Sequence, residues 1–157
     1  VLAFALGIAL AEIVHKKDLN LLHWRQAAVL VEALILLGVA FFPQNMNLLA
    51  NSLTSFACGI QVESFRKIRG NGIATTMCIG NMRSGTQNLC NYLQDRDIEN
   101  LKKALLYYGI IICFICGAII GNFFIKIFAE KAILCCSALL FFAFILMFID
   151  YEREKEQ

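Results

Sequence analysis

ALLYYGIIICFICGAIIGNFFI, residues 104–125, contains no Asp, Glu, Lys or Arg. Roughly 20 apolar residues in a helix cross the hydrocarbon of a bilayer, so this run is long enough to span. AILCCSALLFFAFILMFI, residues 132–149, is equally free of charge and comes close to that length. A large soluble core can raise the apolar fraction of a chain, but it does not easily sort that fraction into long charge-free runs. The composition agrees: 59% of the residues are hydrophobic and 17% charged, whereas soluble domains carry about 45–50% and about 25%. The fold class implied is all-α, a polytopic bundle of transmembrane helices.

Outward from these two runs, three more apolar segments are marked, at about 1–14, 24–42 and 46–65. With 104–128 and 132–149 they make five helices of one transmembrane domain, 1–157. Val1 already lies inside an apolar run, with neither Met nor a basic region before it. The expectation is a chain truncated at its N-terminus rather than one opening on a signal peptide. Pro43, the only proline, ends the second segment, and Pro43-Gln44-Asn45 makes a tight turn into the third. Lys16, Lys17 and Arg25 lie between the first two segments, and the Pro43 turn has no Lys or Arg. Arg66, Lys67, Arg69, Arg83, Arg96, Lys102 and Lys103 lie between the third and fourth. The positive-inside rule places both basic connections in the cytoplasm, and parity places the C-terminal tail there too. Lys126 and Lys131 are the exceptions, outvoted by the other loops. Trp24, Tyr107, Tyr108 and Tyr151 fall near segment ends, where aromatic belts form. The net charge of +2 is too small to point to nucleic acid.

The polar connection begins RKIRGNGIATTMCIGNMRSGTQNL, residues 66–89. Within it, 72–82 is too short to span and too apolar for an ordinary loop. One reading is a re-entrant segment that dips into the membrane and returns, its backbone lining a polar cavity. The other is an amphipathic helix lying on the surface. A faint repeat joins Phe4-x-x-Gly7-x-x-x-Ala11 to Phe114-x-x-Gly117-x-x-x-Gly121, each followed by a basic turn and another apolar helix. By the orientation above the two units run in opposite directions. Inverted three-helix repeats are a recurrent plan of secondary transporters.

Ser55-Phe56-Ala57-Cys58-Gly59-Ile60-Gln61, then Phe65-Arg66, Thr75-Thr76 and Ile79-Gly80-Asn81-Met82-Arg83-Ser84 resemble motifs of the YoaK-like family of bacterial membrane proteins (domain of unknown function 1275). The resemblance covers essentially the whole chain, as the family's C-terminal four to five helices. It implies about six transmembrane helices in the complete protein, a location in the inner membrane, and a second Gly-Asn motif in a missing N-terminal half. Val62, Glu63 and Ile79 depart from the residues usual at those positions. The family has no established activity, so the resemblance implies an architecture and no reaction.

Gln61, Thr75, Thr76, Asn81 and Arg83 are the candidate substrate-binding residues, with backbone groups of a Gly-rich re-entrant segment among them. Interfacial roles are the alternative for Gln61, Glu63 and Arg83. Glu32 interrupts Val29-Leu30-Val31-Glu32-Ala33-Leu34-Ile35, where an ionisable group is costly unless paired, protonated or hydrated. It is the candidate proton-coupling residue, the alternative being a side chain that snorkels to the interface near Trp24 and Arg25. Cys113-x-x-Cys116 has the spacing of a metal or redox pair but no nearby His, and most of the seven cysteines sit in apolar segments as small hydrophobes. No nucleophile–base pair, metal cluster, phosphate loop or cofactor motif is present in the sequence. The function expected is transport of a small solute or ion rather than catalysis, with no cofactor and no metal. A non-transporting scaffold or sensor is the alternative. The partners implied are membrane lipid and the solute, with a homo-oligomer left open.

Overall fold

The computed structural model describes residues 1–16, 21–68, 70–73, 75 and 78–155. Its elements in chain order are α1 (Leu2–His15), α2 (Leu21–Val39), α3 (Asn47–Ser64), β1 (Lys67–Ile68), β2 (Asn71–Gly72), α4 (Cys78–Asp95), α5 (Ile98–Phe128) and α6 (Ile133–Lys155). The all-helical expectation holds. Of these helices, α5 is the one long and apolar enough to cross a membrane, and α1 and residues 133–149 of α6 are shorter apolar helices. The chain divides into two compact units, Val1–Ser64 with Phe124–Gln157, and Phe65–Phe123.

In the first unit α1 packs on α3, α3 on α2 and α2 on α6. The contact between α1 and α3 is made backbone to backbone. A Cβ added to Gly7 would collide with the Phe56 carbonyl oxygen, and one added to Gly59 with that of Phe4. Only glycine allows so close an approach, and Ala11, one turn beyond Gly7, is fully buried on the same face. Between α2 and α3, Pro43 supplies no amide hydrogen and holds an extended backbone. The α-helix accordingly stops at Val39, four residues before it, and one 3-10 turn closed by Met46 N–H to the Pro43 carbonyl (2.9 Å) starts α3.

Ala11 of α1, Trp24 and Ala28 of α2 and Ile60 of α3 form one buried cluster, flanked by Val14 and Phe56. The C-terminal ends of α1 and α3 and the N-terminal end of α2 therefore meet. Arg25 Nε donates to the Ser64 carbonyl at 3.3 Å at this end, satisfying an acceptor at the close of α3. Gln26 Nε2 donates to the Met147 carbonyl (2.9 Å) and Ser137 Oγ to the Ala33 carbonyl (2.8 Å). As α2 advances, α6 recedes, so the pair is antiparallel and the C-terminal part of α6 reaches the same end of the unit.

The second unit starts with an antiparallel hairpin in which Lys67 pairs Gly72 and Ile68 pairs Asn71. Gly70 takes the positive φ of 78° that its turn requires. The stretch expected to be a polar connection holds an 18-residue helix, α4. Its composition is polar overall, yet Asn81 and Gly85, four residues apart, are both buried. Arg96 closes α4 in the left-handed region at φ 55°, and the Asp97 carboxylate accepts from Glu99 N–H (3.0 Å), capping α5. α5 thus begins at Ile98, inside the charged stretch, rather than at Ala104.

Candidate functional site

Among the described residues of the first unit, the buried polar side chains are Gln26, Glu32, Ser64 and Ser137. Three of them have a visible structural reason. Gln26 and Ser137 donate to carbonyls across the α2–α6 contact, and Ser64 Oγ donates to the Ile60 carbonyl at 2.8 Å. Glu32 is different. It is 5% exposed, on the face of α2 that also buries Ala28, Val29, Ala33 and Leu36. Its Oε2 is shielded and has no hydrogen-bond partner among the described residues. Buried polar atoms almost always find a partner, and leaving one unmade costs about 1–3 kcal/mol, more for a charge.

Glu32 lies on α2, which packs against α3, the helix that carries Gln61. Cys58 and Gln61 are three residues apart on α3, on one helical face. Gln61, half-buried, therefore stands on the helix face that carries Cys58, one turn nearer the end where the helix termini gather. Two of the sequence candidates, Glu32 and Gln61, belong to this unit.

Thr75, Asn81 and Arg83 belong to the second unit, and Thr76 lies outside the described residues. Asn81 is buried in the first turn of α4, whereas Arg83, two residues on, is exposed. Thr75 is half-buried, and its Oγ1 is shielded with no hydrogen-bond partner among the described residues. It stands at an open groove of about 580 Å³ along α5, lined by Ile73, Leu105, Leu106, Gly109, Ile110 and Phe114 among others. A second hollow, about 430 Å³, is lined by Gly70, Asn71, Glu99, Lys102, Lys103 and Leu106.

Tyr107 was not among the sequence candidates, yet it organises this unit. It is buried, and its hydroxyl donates to the Gly72 carbonyl at 2.9 Å, tying the hairpin to α5. Gly85 of α4 faces it: a Cβ there would lie 3.2 Å from Tyr107 Cβ. Thr86 Oγ1 and the Tyr108 hydroxyl are 3.0 Å apart. Position at a segment end suggested an aromatic belt for Trp24 and Tyr107, but both are buried within their units. A hydroxyl on an otherwise apolar helix, facing a glycine-rich hairpin in sequence, was the available sign.

A family described as "Protein of unknown function (DUF1275)" matches residues 1–146. Neither the curated proteins nor the solved structures contain a significant match to the chain.

Proposed function

The chain belongs to the DUF1275 family, whose function is unknown, and from that premise we propose that it is a multi-pass protein of the inner membrane that carries a small solute or ion, with Glu32 as its coupling group. The observation that carries the reading is the shielded, unpartnered oxygen of Glu32. Gln26, Ser64 and Ser137, the other buried polar side chains among the described residues of this unit, each donate to a carbonyl, whereas the Glu32 carboxylate lies within an apolar run of α2. A proton, a cation or a water-borne solute would supply the missing partner. Gln61 would contribute from α3. Thr75, Thr76, Asn81 and Arg83 would form the polar part contributed by the second unit, and no catalytic step is assigned to any of them.

The common end reached by α1, α2, α3 and α6 supports the topology. Lys16 and Arg25 lie at that end, and Arg66 and Lys67 follow α3 directly, so the positive-inside rule puts it in the cytoplasm together with the C-terminal tail. One observation favours the scaffold alternative: the glycine face of α1 is consumed in packing against Gly59.

The test is a single cysteine replacing Glu32, in the full-length protein without its native cysteines, probed with a membrane-impermeant thiol reagent. Transport requires the position to open to each side in turn, so labelling is expected both in intact cells and in inverted vesicles. Labelling from one side only, or from neither, removes transport and leaves the scaffold.

A further inference from the structure

The two hollows of the second unit share Leu106 as a wall, so the polar one lies beside the apolar one. The apolar groove follows α5 from Leu105 to Phe114, ten residues spanning about 13 Å of helix. Gly109 leaves its middle deep, because nothing stands within 4 Å of the Cβ it lacks. The polar mouth sits against the hairpin turn at Gly70 and Asn71 and presents Lys102 and Lys103. Lys102 Nζ is held by the Glu99 carboxylate at 2.8 Å. Lys103 is exposed and has no carboxylate within 4.0 Å among the described residues, so the mouth keeps a net positive charge.

We infer that this composite groove binds one anionic phospholipid, its phosphate at Lys103 and Lys102 and an acyl chain along Leu105–Phe114. The polarity of the groove changes where that of a lipid does. Lys103 is the last charge before the apolar run that starts at Ala104, which is where headgroups meet hydrocarbon. Anionic lipids attract lysines at that depth. A free phosphate would use the lysines and leave the apolar groove unoccupied.

The test is native mass spectrometry of the purified full-length protein with phosphatidylglycerol or phosphatidylcholine of the same acyl chains, and with inorganic phosphate as competitor. One phosphatidylglycerol per chain is expected, held in preference to phosphatidylcholine and not displaced by phosphate. Lys103→Gln is expected to lower phosphatidylglycerol retention about fivefold and leave phosphatidylcholine unchanged. Gly109→Phe, which fills the groove, is expected to lower retention of both lipids. Lys103 is exposed, so its replacement tests the assignment whether or not the Gly109 variant folds. Equal retention of the two lipids, an unaltered preference in Lys103→Gln, or displacement by phosphate would each overturn the assignment.

Discussion

A carboxylate oxygen shielded from solvent without a donor is an energetic fault unless something other than the protein completes it, and Glu32 in α2 is such a group. Replacing it with an apolar side chain of similar length removes the fault. Glu32→Leu is therefore expected to stabilise the protein by about 1–3 kcal/mol, read as a higher thermal unfolding temperature in detergent, and, under the proposed function, to abolish transport. A fall in that temperature would show that Glu32 has a structural partner after all. Ser137→Ala makes the contrasting case. It deletes a donor to the Ala33 carbonyl in a fully buried place and should cost about 1 kcal/mol in the same assay. Glu32 stands out in the sequence because charge is rare among Val, Leu and Ile. Thr75 and Asn81 do not separate from other polar residues of the 66–103 stretch until their burial is known.

Helices with the same small-residue spacing have opposite fates in this chain. Gly7 of α1 meets the backbone of α3, whereas Gly117 and Gly121 of α5 have nothing within 4 Å of a would-be Cβ. Gly7→Ala should then destabilise by about 1–3 kcal/mol through overpacking. Gly117→Ala should be neutral or stabilising, by up to about 1 kcal/mol from helix propensity. Equal effects in thermal unfolding would mean that the glycine face of α5 is also packed. The spacing itself was legible in the sequence, but which glycine stripe found a partner was not. That depended on Gly59, a residue from a helix brought alongside only by the turn at Pro43. α5 and α6 were readable because a charge-free run needs no tertiary information. α4 escaped notice for the converse reason. Its polar residues read as a loop, and what buries it is Gly85 against Tyr107, far away in sequence. Tyr107→Phe should free the hairpin, seen as faster exchange of the Ile73 amide, which is bonded to the Arg66 carbonyl at 2.9 Å.

At the scale of the whole molecule, the gathering of helix ends in the first unit makes a topological prediction. Single cysteines at Lys16 and at Lys155, the last residue of α6, should label from one side of the membrane, and one at Gln44 from the other. Labelling of all three from one side would contradict a spanning first unit. The length of α5 has a mechanical consequence in a bilayer. Its 31 residues extend about 46 Å, against about 30 Å of hydrocarbon. Even without the charged turn 98–103, the remainder is about 37 Å long, so the rod must lean or protrude. How far it leans is decided by its packing neighbours and interfacial anchors. The hydroxyl of Tyr107, close to the end of the rod, grips the hairpin at Gly72. Were this rod to lean in a bilayer, the hairpin would follow it, because the bond from Tyr107 couples the two.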